Sequence, residues 1–274
     1  MSAAFTPAEA RPVRHAATIG RAAAAIAAVV LAAACGSAGG QSRPAAPAAR
    51  GSTSSAVSPQ PSPSLGLDGC FGTEAGHTEK IRDPGGGGPL TLAVAGAGPR
   101  VIVMSNESDE NLCSWLPVTR RLTAAGYRVV LWDFGGNLPP DELAGVVRHL
   151  RRTGATRIVL MGASEGAKTS LIAAARIRPV VQGVVSLSAE SVLRPAMIVV
   201  NSVRHLTCPM LLITARQDGY GSAQAAPGFM AAARTTDKRL LTVPGTGHGT
   251  ALLSGPAATA TLPAITSFLS RHLR

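Results

Sequence analysis

The sequence predicts an α/β fold with a mostly parallel sheet covered by helices on both faces. Three observations support this prediction. Short β-branched apolar runs alternate with amphipathic segments from about residue 89 to the C-terminus. Glycine and proline bound the apolar runs, and several amphipathic segments stop at a glycine, as helices often do. Strands buried on both faces read as continuous apolar runs, so this alternation favours a parallel sheet.

Each strand is predicted from a short run rich in Val, Ile and Leu. In chain order these runs are "PLTLAVAG", "RVIVMSN", "YRVVLWDF", "RIVLMG", "VQGVVSLSA", "PMLLITA" and "RLLTVPG". Few residues separate the "VQGVVSLSA" strand, which ends near Ala189, from the strand that starts at Pro209. We therefore expect no large cap over the carboxyl edge of the sheet, and an open, shallow site there.

The helices are predicted from apolar residues that recur at three- and four-residue spacings. "WLPVTRRLTAAG" stops at Gly126, and "PPDELAGVVRHLRRTG" begins with prolines and Asp141 and closes at Gly154. A third helix is expected from Glu165 to Arg176. The remaining helices are expected in "SVLRPAMIVVNSVRHL", "AAPGFMAAAR" and "LPAITSFLSRHL".

The N-terminal 35 residues are typical of an export signal. Three arginines precede the apolar run "AAAAIAAVVLAAAC", which ends at Cys35. As a helix this run would extend about 20 Å, less than the roughly 30 Å of a bilayer core, so a permanent transmembrane helix is disfavoured. "LAAAC" resembles a bacterial lipobox, which implies lipidation of Cys35. Ala32 and Ala34 also satisfy ordinary cleavage, so a freely secreted protein is the alternative.

Residues 36–67 are dominated by Gly, Ser, Pro and Ala and contain little that a core could bury. We expect a disordered tether there, followed by one folded domain over residues 68–274. Export permits disulfides, and we expect a bridge between Cys70 and Cys113. Spacing alone does not fix the pairing.

The composition disfavours nucleic acid as a partner. The net charge of the chain is +11, but only 3% of its residues are aromatic. The arginines are scattered and do not alternate with aromatic residues in a block. We expect a basic surface that is soluble, or one attracted weakly to anionic envelope lipids or polymers. No C-x-x-C motif or histidine cluster indicates a metal, and no cofactor is expected.

Three candidate catalytic residues follow predicted strands, where functional groups of a parallel sheet gather. Ser164 lies in the Gly-x-Ser-x-Gly motif after "RIVLMG", Asp218 follows "PMLLITARQ", and His248 follows "RLLTVPGTG". A serine hydroxyl becomes a nucleophile when an imidazole takes its proton and a carboxylate orients that imidazole. The order Ser, Asp, His is the one described for the α/β-hydrolase fold. The structural alternative for Ser164 is a helix N-cap.

From about Pro89 onward the chain resembles a small, nearly lidless α/β-hydrolase, similar to dienelactone hydrolases or lysophospholipases. "GYRVVLWDFGG", "LLITARQDGYG" and "VPGTGHG" carry the resemblance together with the serine motif. It implies a sheet of about eight strands and hydrolysis of an ester, thioester or amide through an acyl-enzyme. It also implies that the backbone N–H groups of Glu107 and Glu165 form the oxyanion hole. Some members carry the acid after the preceding strand, where Glu190 stands, so Glu190 is the alternative to Asp218.

One departure from the family concerns the residues after the strand "VIVM". The family usually has His-Gly there, whereas this chain has Ser105-Asn106. We expect asparagine to keep the turn, because it tolerates unusual φ angles. Glu107 and its neighbours form an acidic loop that would oppose an oxyanion, unless the charge points outward or meets an arginine.

The leading hypothesis is an exported serine hydrolase, an esterase acting on small or medium acyl substrates and anchored outside the membrane by its lipid. One alternative is a peptidase or acyltransferase of the same fold. The other is a catalytically inactive envelope binding lipoprotein. The sequence does not indicate an oligomeric state.

Overall fold

The structure is a computed structural model that describes residues 76–108, 110 and 112–274. The expected signal sequence, tether, Cys35 and Cys70 lie outside these residues, as do the domain boundaries at 35 and 67. Cys113 is disulfide-bonded, and Cys208 is free and buried. Among the described helices, none is both long enough and apolar enough to cross a bilayer.

An eight-stranded sheet organises the described chain, in the order β1-β2-β4-β3-β5-β6-β9-β10. The β1–β2 and β2–β4 pairs are antiparallel, and the other pairs of this sheet are parallel. The strands are β1 (His77–Ile81), β2 (Leu90–Ala95), β3 (Arg100–Ser105), β4 (Arg128–Trp132), β5 (Arg157–Ala163), β6 (Gly183–Leu187), β9 (Met210–Ala215) and β10 (Lys238–Val243). This agrees with the predicted mostly parallel sheet of about eight strands.

Helices cover both faces of this sheet. They are α1 (Leu116–Ala124), α2 (Pro139–Arg152), α3 (Glu165–Arg176), α4 (Val199–Val203), α5 (Ser222–Ala232) and α6 (Gly255–His272). Side chains alternate along β3, so that Val101 and Val103 join the core beneath α2 to α5, whereas Ile102 and Met104 join the core beneath α1 and α6. All four side chains are fully buried.

The predicted helix at 191–206 is partly wrong. The segment begins as a small hairpin of β7 (Val192–Arg194) and β8 (Met197–Ile198), and only its second half forms α4. Strands of two or three residues are too short to show a two-residue period, and Val192 and Ile198 are both exposed. The segment nevertheless stays small, so no large cap follows β6.

Candidate active site

Ser164 occupies a strained turn between β5 and α3. Its φ and ψ angles are 49° and −113°, a conformation that residues other than glycine rarely adopt. The Ser164 N–H donates to the Leu187 carbonyl of β6 at 2.9 Å, which fixes the turn to the neighbouring strand. The side chain makes no capping hydrogen bond to α3. The alternative of an ordinary N-cap is therefore not what the structure shows.

Both glycines of the serine motif are required for close packing. A Cβ atom on Gly162 would overlap the backbone of Gly166, and one on Gly166 would overlap the carbonyl oxygens of Ser105 and Asn106. The absence of these Cβ atoms brings the start of α3 against the end of β3. The turn that carries Glu107 and the helix start that carries Glu165 consequently lie side by side.

Glu165 is the first residue of α3, so its N–H has no acceptor within the helix. This N–H fits the predicted role of an oxyanion donor. The Glu165 carboxylate makes an ion pair with Arg194 of β7, with 2.9 Å between Oε1 and Nη2. The hairpin thereby holds the Glu165 side chain.

Asp218 and His248 form a close pair. The imidazole Nδ1 lies 3.0 Å and 2.9 Å from the two carboxylate oxygens of Asp218. Asp218 is itself buried and accepts from the Tyr220 N–H at 2.9 Å and from the Ser222 hydroxyl. Burial opposes ionisation of Asp218, but these hydrogen bonds outweigh it and lower the pKa of the carboxyl group. An ionised Asp218 can hold His248 in one tautomer.

Glu190 lies between the serine and the histidine. The Ser164 hydroxyl donates to Glu190 Oε1 at 3.3 Å, and the same oxygen lies 3.2 Å from His248 Nε2. The other oxygen of Glu190 makes an ion pair with Lys168 in the first turn of α3. Sequence reasoning offered Glu190 as an alternative acid, but here it faces Nε2 and leaves Nδ1 to Asp218. The hydroxyl and the imidazole are thus bridged by a carboxylate, each within hydrogen-bonding distance of it.

Two carboxylates therefore determine the charge of His248. Burial acts to lower the pKa of the imidazole, but the contacts with Glu190 and Asp218 outweigh burial and raise it. For Glu190, burial acts to raise the pKa of the carboxyl group, but the contacts with His248 and Lys168 outweigh burial and lower it. The resting arrangement therefore favours the protonated form of the imidazole, and a protonated imidazole cannot accept the serine proton.

Glu107 does not point outward, which was one alternative considered for the acidic loop. It is buried, with 5% of its surface exposed. Its carboxylate accepts from the Thr250 N–H at 2.7 Å and from the Thr250 hydroxyl. A Cβ atom on Gly249 would overlap this carboxylate. Glu107 thus clamps the loop that carries His248.

The Ser105-Asn106 pair uses its side chains to hold the end of β3. The Trp132 indole N–H donates to the Ser105 hydroxyl at 3.0 Å. The Asn106 side-chain amide donates to the Glu110 carbonyl and closes the acidic loop. Asn106 does not use the positive φ angle that asparagine tolerates, since the residues other than glycine with positive φ in the described chain are Ser164 and Ser188.

Sequence reasoning missed Lys168, Tyr220 and Thr250 as members of the site. The Tyr220 ring lies over the His248 ring, with centroids 4.2 Å apart. Lys168 had a visible signal, because it stands four residues after Ser164, in the first turn of the helix that follows the serine. In the part of the chain that the structure describes, no three His, Cys, Asp or Glu side chains are arranged to hold a metal ion.

Comparison with solved structures shows that the chain has the α/β-hydrolase fold. A dienelactone hydrolase from Anabaena variabilis matches with a TM-score of 0.60 at 20% identity, covering 72% of this chain and 99% of that one. An esterase from Pyrococcus furiosus matches with a TM-score of 0.63 at 16% identity, covering 72% and 90%. The esterase domain of a Rhodothermus marinus protein matches with a TM-score of 0.59 at 18% identity, covering 72% and 99%.

No family model matches the sequence, and no curated protein matches it. These three structures are at most 20% identical to the chain, so the likeness shows a shared fold and nothing about activity. Function has to be argued from the site.

Proposed function

We propose that this protein is an exported serine hydrolase that cleaves esters of small or medium acyl chains through an acyl-enzyme. The observation that carries the proposal is a strained Ser164 at the same sheet edge as the Asp218–His248 pair. The structural neighbours include esterases and a dienelactone hydrolase, which supports hydrolysis as the reaction class. No cofactor enters the proposed reaction.

In the proposed reaction the Ser164 oxygen attacks the ester carbonyl while His248 takes its proton. The carbonyl oxygen becomes an oxyanion, which the N–H groups of Glu107 and Glu165 stabilise. His248 then passes the proton to the departing alkoxide, leaving an acylated Ser164 and a free alcohol. A water molecule, deprotonated by His248, repeats the attack and releases the carboxylic acid. Asp218 orients the imidazole throughout.

The reaction requires Glu190 to withdraw from its resting position. Its Oε1 contacts both atoms between which the proton must move. We infer that an entering acyl group displaces this carboxylate toward Lys168, with which it is already paired. Ser164 and His248 can then form a direct hydrogen bond, and the imidazole loses the contact that favours its protonated form.

A fluorophosphonate probe tests the proposal. We expect the wild-type protein to be labelled and the Ser164→Ala variant to remain unlabelled, with both showing the same thermal unfolding. A series of nitrophenyl esters then measures the preferred acyl length, and aminoacyl nitroanilides measure the amide activity expected of a peptidase. If the folded wild-type protein reacts with none of these reagents, the proposed enzymatic function is refuted.

The second candidate is an inactive envelope binding protein of the same fold. The position of Glu190 is the observation that favours it, because a carboxylate that never withdraws would keep the serine proton from His248. The labelling experiment distinguishes the two candidate functions, because a folded binding protein would not react with the probe.

The proposed location is the outer side of the cell membrane, through a lipid on Cys35. The supporting features are the N-terminal arginines, the short apolar run and the lipobox-like "LAAAC". Mass spectrometry of the mature N-terminus tests this. An acylated Cys35 supports the lipoprotein, whereas an unmodified N-terminus near this residue supports the freely secreted alternative.

A further inference from the structure

Basic residues mark the beginnings of the parallel strands. Arg100 starts β3, Arg157 starts β5, and Lys238 and Arg239 open β10, whereas the guanidinium of Arg128 at the start of β4 is partly buried. Because these strands are parallel, their starts lie at one edge of the sheet, which we call the amino edge. The candidate active site is at the opposite, carboxyl edge, where several acidic side chains lie (Glu107, Glu165, Glu190 and Asp218).

The helices add further cations to the amino edge, because each returns antiparallel to the strand before it. Arg152 ends α2, Arg234 follows α5, and Arg271 lies in the last turn of α6. All three are exposed. Contacts tie these ends together: the Arg157 side chain reaches the His272 carbonyl at 3.4 Å, and the Arg151 side chain reaches the Pro179 carbonyl at 2.7 Å.

Few acids oppose this charge. The acidic residues nearest the amino edge are Glu79, 2.8 Å from His149, and Asp237, 3.4 Å from His272. The helix dipole accounts for arginines at helix ends, because cations stabilise a helix C-terminus. It does not account for cations at the starts of strands. The concentration of positive charge at one edge therefore exceeds what helix termini require.

The first described strand has the same direction as the parallel strands. β1 runs in the same direction as β4, since each is antiparallel to β2. His77, which begins β1, is level with Val94, and Val94 is level with Val130 in the middle of β4. β1 therefore runs away from the edge that carries the cations, as β4 does.

We propose that the amino edge docks on anionic phospholipid headgroups, so that the candidate active site faces away from the bilayer. This surface is independent of the catalytic proposal. Nucleic acid is the less favoured partner, because single strands need exposed aromatic rings for stacking. Among the described residues, Tyr220 is the exposed aromatic side chain, and it lies at the carboxyl edge beside His248. Tyr127, at the amino edge, is buried beneath Arg100.

Vesicle sedimentation tests the proposal with the chain starting at residue 36, which lacks the signal sequence and Cys35 but keeps every described residue. We expect binding to vesicles of mixed phosphatidylglycerol and phosphatidylcholine, weakening as salt rises, and no binding to phosphatidylcholine alone. Each basic residue near an anionic leaflet contributes about fivefold to affinity. The triple variant Arg152→Glu, Arg157→Glu, Arg239→Glu should therefore bind at least about a hundredfold more weakly.

The matched control carries the same charge change elsewhere, as Arg82→Glu, Arg120→Glu, Arg216→Glu. These arginines lie outside the amino edge and are exposed, and we expect the control to retain vesicle binding within about threefold. Thermal unfolding verifies that both triple variants are folded. Equal losses in the two variants, or none in the first, overturn the proposal. So does a wild-type chain that binds DNA but not anionic vesicles.

Discussion

Replacement of Glu190 by glutamine is predicted to accelerate the enzyme. In the resting structure the Ser164 hydroxyl donates to the Glu190 carboxylate at 3.3 Å, and this bond must break before His248 can take the proton. A hydrogen bond to a charged group contributes about 1.5–3 kcal/mol and a neutral one about 0.5–1.5 kcal/mol. The bond is long for an O–H···O contact, so we take the difference as about 1 kcal/mol.

A difference of about 1 kcal/mol corresponds to a roughly fivefold rise in rate. We therefore expect kcat/KM of Glu190→Gln for a nitrophenyl ester, and its rate of fluorophosphonate labelling, to rise about fivefold on the alkaline plateau of the pH profile. Measurement on the plateau separates this effect from the protonation of His248. Glu110→Gln, which removes an exposed charge from the same edge, is the control and should change the rate less than twofold.

The acid limb of the same pH profile gives a second readout. Glu190 and Asp218 raise the pKa of His248 despite its burial, and the base must be neutral to act. Loss of the Glu190 charge lowers that pKa, so the pH below which kcat/KM falls should move downward. If Glu190 is instead the essential acid, the variant loses about a hundredfold or more in rate, and the argument for a resting lock fails.

Three further predictions concern stability and reactivity. Gly166→Ala should abolish labelling and lower the unfolding temperature, because its methyl group overlaps backbone, whereas Gly228→Ala, with open space around it, should be neutral or stabilising by up to about 1 kcal/mol. Glu107→Gln should lower the free energy of unfolding in urea by about 2 kcal/mol, because two hydrogen bonds from Thr250 lose a charged acceptor. The same substitution should cost less in a Thr250→Val background, and an equal cost in both backgrounds would contradict this reasoning. Burial raises the pKa of the Cys208 thiol to about 12, so iodoacetamide should modify it only on unfolding, and rapid alkylation of the native protein would refute that assignment.

The parallel part of the sheet was predictable because its strands are buried on both faces. β5 and β9 read as unbroken apolar runs, and every residue of β9 is buried. The positions of Ser164, Asp218 and His248 followed from the same logic, because each comes directly after such a run. The structure brings the three residues to the same edge of the sheet, but Glu190 lies between Ser164 and His248, and catalysis by them stays a prediction.

The unpredicted elements carry weaker signals. β1 is a half-exposed edge strand whose sequence, HTEKI, contains one residue that is fully buried. α6 begins at Gly255, before the predicted "LPAITSFLSRHL", because its first turns are alanine and threonine with little amphipathic contrast. The predicted start of α5 was likewise late, since "SAQ" precedes its first apolar pair.

The contacts within the site could not be predicted from the sequence for a different reason. Glu107 and Thr250 are 143 positions apart, and Glu190 approaches Ser164 only because β5 and β6 are neighbours. Pattern analysis places a residue at the end of a strand, but it does not specify which way its side chain turns. The contact between Glu107 and the histidine loop was therefore missed, whereas the effect of the Glu107 charge on an oxyanion stays a prediction.

The clamp between Glu107 and the histidine loop also restricts how this sequence can diverge. A buried carboxylate without its two donors is costly, and the hydroxyl and glycine opposite it have little purpose once the carboxylate is gone. Residue 107 should therefore change together with residues 249 and 250 among descendants of this gene. Covariation of these three positions, despite their separation along the chain, is the evolutionary trace that the clamp would leave.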